Sequence, residues 1–210
     1  MNKNPLFLSA AAIAAALFLA GCATDSGTAP ASSSMPGMHH GSSSDGGTSA
    51  SAPASSEDHN TADVMFAQMM IPHHAQAVEM SDMILAKQDI PADVKDLATR
   101  IKEAQGPEIE LMTGWLEDWN MPTHAPSGSS GHGMAGMMGD EEMKKLDDAQ
   151  GTAAARLFLE QMIIHHEGAI TMAKSETGDG KNTAAVQLSK DIVSAQEAEI
   201  QEMKTLLGAL

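Results

Sequence analysis

The chain of 210 residues has few aromatic side chains, one cysteine and few basic residues. It contains no tyrosine, four phenylalanines and two tryptophans, and its β-branched residues form only short runs. Because aromatic and β-branched residues favour strands, the composition argues against a β fold. A single cysteine cannot form a disulfide within the chain, so the fold must be stabilised by packing, or by packing together with a metal ion.

Basic residues are outnumbered by acidic ones, at 12 Lys+Arg against 28 Asp+Glu, which gives a net charge of -16. Such a chain is a poor partner for nucleic acid and for anionic lipid surfaces, because both are themselves negatively charged. Metal cations are suitable partners. An acidic surface also serves solubility alone, so the charge does not decide between these two roles.

The apolar run from Leu6 to Ala20 is too short for a comfortable membrane span. With a lysine before it and Leu-Ala-Gly-Cys after it, the run has the pattern of a secretory signal, and this motif resembles a bacterial lipobox. We therefore predict a signal peptide over residues 1–21, lipidation at Cys22, export, and a lipid anchor on the cell envelope. A free thiol or an intermolecular disulfide at Cys22 is the alternative.

Residues 22–59 are mainly Ser, Gly, Ala, Pro and Asp. This composition buries too little apolar surface to offset the entropy of ordering, so we predict a disordered tether. Residues 60–210 have the length of one domain.

The domain contains one sequence unit written twice. FAQMMIPHHAQAVEM begins at Phe66 and FLEQMIIHHEGAITM at Phe158, with a histidine pair at the same place in each. The later parts of the two units also match, including a Gln-x-x-Glu-Ile segment that begins at Gln105 in the first and at Gln196 in the second.

Apolar residues in both units recur at the helical period. We predict an all-α fold in which two repeated hairpins form a four-helix bundle, because each hairpin exposes an apolar stripe that the other can cover. The predicted helices cover residues 61–87, 91–119, 152–175 and 181–208, with a short extra helix from Asp140 to Ala149. Between the hairpins, the Met/His-rich linker at 120–139 is predicted to be loose, and Pro72 is predicted to kink the first helix.

The histidine pairs are predicted to meet methionine and glutamate side chains inside the bundle. On a helical wheel His73 falls within the apolar stripe and His74 at its edge, closer to Met70. Buried imidazoles are costly unless something accepts their lone pairs, and a metal ion does so directly. The predicted ligands and orienting carboxylates are Met70, His73, His74, Met80, Glu108, Met112, Met162, His165, His166, Met172, Glu199 and Met203.

Copper suits this donor set best, as Cu(I) with Ag(I) as its mimic, because thioethers prefer soft ions and imidazole suits copper. Zinc is the next choice, although it would leave the methionines unused. A metal-free core is the simpler reading, in which methionines fill space and the glutamates accept histidine protons. The segments Met35 to His40, Met121 to His124 and His132 to Met138 mix the same two donors, and they are also consistent with plain linker.

The chain resembles the family called domain of unknown function 305. The resemblance rests on the two histidine-pair segments, on His165-His166-Glu167-Gly168-Ala169 and on the two Gln-x-x-Glu-Ile segments. It implies an exported protein with a ferritin-like four-helix bundle that binds copper in or outside the envelope, with some members linked to copper resistance.

The leading functional hypothesis is an extracytoplasmic copper protein that sequesters or chaperones the ion. It assigns no catalytic residues, and a copper-handling envelope protein is its possible protein partner. A cuprous oxidase is one alternative. A di-metal oxidase is a weaker one, because the Glu-x-x-His pairs of such bundles do not occur in the chain. A bundle that docks onto an envelope protein without metal is the third.

Overall fold

The computed structural model describes residues 58–124 and 135–210. The predicted signal peptide, Cys22 and all but the last two residues of the predicted tether lie outside these residues, as do His132 and Met134 of the linker. The described residues form five helices and no strand. None of these helices has both the length and the apolar character of a membrane span.

The helices confirm the predicted all-α fold and lie close to the predicted bounds. The largest difference is at the end of the fourth, which continues through Gly178 and stops before Gly180. The five helices are α1 (Thr61–Ala86), α2 (Ala92–Asp118), α3 (Asp140–Asp148), α4 (Gly151–Asp179) and α5 (Thr183–Ala209).

Helix α1 starts with an asparagine cap that also ties it to the second hairpin. The Asn60 side-chain oxygen accepts from the N–H groups of Ala62 and Asp63 at 2.7 and 3.1 Å. The Asp63 carboxylate in turn accepts from the backbone N–H groups of Lys181 and Asn182 at 3.0 and 2.8 Å. The start of α1 is thereby held against the turn between α4 and α5.

Two prolines lie inside helices without ending them. Pro72 is within α1 and Pro107 within α2, and both helices are continuous through these positions. The missing N–H of each proline therefore costs a backbone bond without dividing the helix.

Helix α1 packs mainly against α2, α4 mainly against α5, and the hairpins join chiefly through α1 and α4. The buried apolar residues form two clusters. The first cluster includes Ile84, Leu97 and Phe158, and the second includes Phe66 and Leu116. Along α1 the second cluster ends at Met70 and the first begins at Ala77, so a gap separates them.

This gap is occupied by a polar layer that crosses the bundle. We call it the histidine layer, and it has contributions from all four long helices. Its members are His73, His74, Glu108, His165, His166 and Glu199.

Candidate metal centre

Four imidazoles from α1 and α4 lie in the histidine layer, and none has more than 1% of its surface exposed. His73 and His165 face each other across the hairpin interface, with ring centroids 3.8 Å apart and planes inclined by 39°. The two histidine pairs, one from each sequence repeat, therefore lie side by side, whereas the sequence had predicted only that each hairpin brings its own imidazoles, thioethers and carboxylate together.

The second histidine of each pair, His74 or His166, is hydrogen-bonded to a glutamate of the other helix in its hairpin. We call these two the outer histidines, and His73 and His165 the inner histidines. The Nε2 of His74 lies 2.7 Å from a carboxylate oxygen of Glu108, and the Nε2 of His166 lies 2.7 Å from one of Glu199. An ionised carboxylate only accepts, so Nε2–H is the donor in both pairs, and in a neutral imidazole Nδ1 is then the nitrogen with the lone pair. Carboxylates that orient metal-binding imidazoles act in this way.

His73, an inner histidine, is bonded to the linker between the hairpins. Its Nε2 lies 3.1 Å from the carbonyl oxygen of Ala135 and donates to it. The side-chain amide of Gln76 fixes the next turn of the linker, since it donates to the Met138 carbonyl at 2.8 Å and accepts from the Met138 N–H at 2.7 Å. Residues 135–138 form a segment that we call the strap.

The strap contacts α4 through glycine. A Cβ at Gly168 would overlap the Ala135 carbonyl oxygen, and Gly136 has a φ of +84° and would bring a Cβ within 2.6 Å of the Ile164 carbonyl oxygen. Only residues without a side chain fit this contact. The expectation of a loose linker is therefore wrong for the strap, because backbone hydrogen bonds and glycine contacts hold it against α1 and α4.

Buried ring nitrogens in this layer lack hydrogen-bond partners among the described residues. They are the Nδ1 atoms of His73, His74 and His166, and both ring nitrogens of His165. Buried polar groups are normally paired, so a cluster of this kind indicates a missing partner.

Burial also keeps the inner imidazoles neutral. Desolvation, followed by the neighbouring His74, lowers the pKa of His73 to about 4. Desolvation, followed by the neighbouring His73, lowers the pKa of His165 to about 2. At neutral pH their lone pairs are therefore not blocked by protons.

The predicted methionine ligands lie beside the layer, within the apolar clusters. Met70 and Met112 belong to the second cluster, with Met172 packed against it. The first cluster holds the other three, Met80, Met162 and Met203. Met70 precedes His73 by three residues and His74 by four, and Met162 stands in the same relation to His165 and His166, so these two thioethers lie one helical turn from the histidines.

Within residues 58–124 and 135–210, no three His, Cys, Asp or Glu side chains already converge on one point at metal-binding distance. The Nε2 atoms of His74 and His166 point at carboxylates instead. Binding of an ion would therefore use the free Nδ1 lone pairs with thioether sulfurs, or would require an imidazole to turn.

The linker residues outside the layer differ in their exposure to solvent. Met121 and His124 are exposed, and Met137 and Met138 are partly buried in the strap. The segment Met35 to His40 lies outside the described residues.

The family model described as a domain of unknown function, DUF305, matches residues 63–207. The chain belongs to the DUF305 family. Its fold is similar to a crystal structure of a DUF305 protein from Streptomyces coelicolor, which is 35% identical, covers 74% of this chain and 95% of that one, and has a TM-score of 0.66. A DUF305 fragment from Deinococcus radiodurans is 30% identical, with coverages of 72% and 98% and a TM-score of 0.66.

The protein CopM is also similar. In its Cu(I)-bound form it is 32% identical, with coverages of 70% of this chain and 96% of that one and a TM-score of 0.60. CopM structures have also been determined in Cu(II)-bound, Ag-bound and apo forms. No curated protein sequence matches the chain.

One part of the centre was missed in the sequence. The contact between the Ala135 carbonyl and His73 was not predicted, because every residue has a backbone carbonyl and the residue types do not show which one will accept a hydrogen bond. The signal that was available is the Gly168 of the second unit, which replaces Gln76 of the first and permits the close approach of the strap.

Proposed function

We propose that this DUF305 protein binds copper as Cu(I) in the histidine layer and sequesters it, or passes it to another protein, outside the cytoplasm. Ag(I) is expected to bind as a chemical mimic. The observation that carries the proposal is the group of five buried imidazole nitrogens without hydrogen-bond partners among the described residues.

The energetic argument is that these nitrogens are costly in the metal-free fold. Each buried polar atom without a partner destabilises a fold by about 1–3 kcal/mol. A cation that accepts imidazole lone pairs removes this cost for the nitrogens that face it, so the ion and the fold stabilise each other.

The chemistry of the donors favours a soft or borderline ion. Imidazole suits copper, and thioether selects Cu(I) over harder ions. Met70 and Met162 are the thioethers we assign first, because each lies one helical turn from both histidines of its pair. The roles of Met80, Met112, Met172 and Met203 remain predictions, and substitution of each by leucine tests them. The Cu- and Ag-bound forms of the similar protein CopM support the same class of ion.

Glu108 and Glu199 hold the outer imidazoles rather than the ion in this proposal. Each carboxylate bonds the Nε2 of its histidine and so presents the Nδ1 lone pair. Loss of such an orienting carboxylate typically weakens metal binding by about 10–100-fold.

The proposed location follows from the sequence alone. The apolar run before Cys22 and the lipobox-like motif support export and a lipid anchor. Labelling of cells with a radioactive fatty acid, comparing the wild type with Cys22→Ala, tests the anchor without depending on the metal.

A Cu(I) competition titration tests the histidine layer. His165→Ala together with His166→Ala should lower the stoichiometry of tightly bound Cu(I) while the helical circular dichroism persists. His124→Ala is the matched control, because His124 is exposed outside the layer. An unchanged stoichiometry in the double variant would refute the assignment.

Two further measurements separate this function from the alternatives. A filled site at 100 times its dissociation constant adds about 2.7 kcal/mol to folding stability, so a melting temperature unaffected by Cu(I) or Ag(I) would favour a metal-independent docking protein. Oxygen uptake on addition of Cu(I) would instead favour a cuprous oxidase.

A further inference from the structure

The histidine layer meets solvent through its two glutamates. Each imidazole is at most 1% exposed, whereas the side chains of Glu108 and Glu199 are 24% and 17% exposed. Because each glutamate also bonds an outer histidine, it connects the surface with the buried ring nitrogens. The two carboxylates therefore mark the side on which an ion can approach the layer.

The strap closes the opposite side of the bundle. It lies between α1 and α4, where the Ala135 carbonyl accepts from His73 and approaches Gly168 so closely that a Cβ would overlap it. The two helices of each hairpin are closely packed, whereas α2 and α5 make few contacts with each other. The boundary between α2 and α5, which we call the α2–α5 seam, is therefore the least covered approach to the layer.

One ion pair crosses this seam. Arg100 of α2 donates to a carboxylate oxygen of Glu202 of α5, and of the ion pairs between described residues only this one joins the two helices. The hydrogen bond to Glu202, with a smaller effect of the charge on Glu199, raises the pKa of the Arg100 guanidinium. Arg100 thus places a positive charge near the Glu199 carboxylate.

The internal repeat does not reproduce this ion pair in the other half of the seam. At the offset that aligns the two Gln-x-x-Glu-Ile segments, Arg100 corresponds to Asp191 and Glu202 corresponds to Leu111. Leu111 stands three residues after Glu108, is 48% exposed and carries no charge. The half of the seam beside Glu108 therefore has an apolar and an acidic residue where the other half has a bridging cation.

An approaching cation meets different charges in the two halves. Beside Glu199 it has to pass the guanidinium of Arg100, which repels it at short range. Beside Glu108 the corresponding residues do not repel it, and the partly exposed carboxylate attracts it. A carboxylate at the mouth of a cleft raises the local concentration of cations and speeds their association.

We propose that the copper ion reaches the histidine layer through the half of the α2–α5 seam beside Glu108, while Arg100 bridged to Glu202 closes the half beside Glu199. This inference rests on the proposed binding of Cu(I) in the layer. Glu108 thereby has a second role, as the carboxylate that first meets the ion, in addition to orienting His74.

The rate of Cu(I) release tests the route, since an ion leaves along the path by which it enters. Leu111→Arg places a guanidinium in the open half and should slow the release of Cu(I) from the loaded protein into excess bicinchoninate, a chromophoric Cu(I) chelator, about tenfold. The dissociation constant from equilibrium competition should change less than the rate, because an obstacle on the path slows binding and release together. Leu111→Gln is the matched control, which removes the leucine without adding charge and should keep the wild-type rate.

Removal of Arg100 supplies the reciprocal test. In the Leu111→Arg background, Arg100→Gln opens the half beside Glu199 and should restore the release rate. Arg100→Gln alone should raise the wild-type rate only about twofold, because two paths then replace one. Lys102→Gln is the control for net charge and should restore nothing, since Lys102 is on the same helix but pairs with Asp82 of its own hairpin.

A release rate that Leu111→Arg leaves unchanged would overturn the route. Faster release from Gly168→Ala, in which the strap is displaced, would then place the path between α1 and α4. Restoration by Lys102→Gln as well as by Arg100→Gln would also overturn it, by reducing the effect to net charge. Loss of the bound Cu(I) from the variant with His165→Ala and His166→Ala shows that the released ion comes from the layer, so the route can fail while the proposed function holds.

Discussion

The outer histidines of the two hairpins have equivalent hydrogen-bond partners, whereas the inner histidines do not. His74 and His166 each bond a glutamate of their own hairpin at 2.7 Å. His73 donates to the Ala135 carbonyl at 3.1 Å, whereas its counterpart His165 makes no such bond to the linker among the described residues. A repeated sequence reproduces contacts within each unit, but the strap occurs once and serves one unit only.

The ends of the α1–α4 pair differ for the same reason. Helix α3 lies in the linker and covers one end, where Leu146 is fully buried. The other end has a pocket of about 280 Å³ lined by residues of α1 and α4, including Met65, Met69 and Met172. The single linker thus converts a nearly symmetric bundle into one with two kinds of end and two kinds of inner histidine.

The pH dependence of stability should give the largest effect, because it acts on both inner histidines together. In the unfolded chain their pKa returns to about 6.5, whereas burial holds the pKa of His73 at about 4 and that of His165 at about 2. Below pH 6.5 the unfolded chain therefore binds more protons, and stability falls as the pH falls. Each histidine contributes up to about 1.4 kcal/mol per pH unit.

Glu176 acts in the opposite direction. Burial, with the nearby Asp63, raises its pKa to about 8, so its contribution to stability is lost as the pH rises from 4.5 through 8. Urea unfolding of metal-free protein should show maximum stability at about pH 6.5. Glu176→Gln should flatten the alkaline side, and His73→Gln with His165→Gln the acidic side. Constant stability between pH 6.5 and 5 would contradict the burial of neutral imidazoles.

Gly168→Ala should break the asymmetry between the inner histidines by displacing the strap. The new methyl group overlaps the Ala135 carbonyl oxygen. Overpacking of this kind costs typically about 2 kcal/mol, measured as the free energy of unfolding. Gly178→Ala is the control on the same helix, because no atom lies within 4 Å of its Cβ position, and it should be neutral or slightly stabilising.

Glu108→Gln and Glu199→Gln should sharpen the similarity of the outer histidines. If the two carboxylates orient their imidazoles equally, each variant should weaken Cu(I) binding by a similar factor, about 10–100-fold. Competition titrations with the two single variants measure this directly. A large effect from only one of them would show that the ion lies closer to one hairpin.

Gln76→Ala should give the smallest effect. It removes the two hydrogen bonds to Met138 while leaving the glycine contact of the strap intact, and should cost about 1 kcal/mol. Gln187→Ala is the control, since Gln187 is exposed and donates to Asp191 of its own helix at 2.9 Å. Equal unfolding free energies for the two variants would argue that the strap does not depend on Gln76.

Much of the fold was predictable because it depends on local pattern. Helical periodicity and turn residues placed all five helices within a few residues of their observed bounds, and α3 was anticipated from Asp140 onward. The facing of His74 and Glu108, and of His166 and Glu199, followed from the helix faces. Pro72, at which a kink was predicted, lies within α1, which is continuous from Thr61 to Ala86.

The centre itself was only partly predictable. Helical spacing placed methionines and histidines on related faces, but it does not distinguish a thioether in a dry cluster from one that faces an ion. Met80 and Met162 are fully buried in the first cluster.

The amino-acid sequence alone determined the helices, the duplicated hairpin and the presence of two histidine pairs with a glutamate opposite each. These features depend on residues that are close together in the sequence or share a helix face. Only the tertiary structure decided which inner histidine would donate to the Ala135 carbonyl, which inner histidine would make no such bond, and which end of the bundle α3 would leave uncovered. Those outcomes depend on where one unrepeated linker comes to rest between two nearly identical surfaces, and neither surface specifies that by itself.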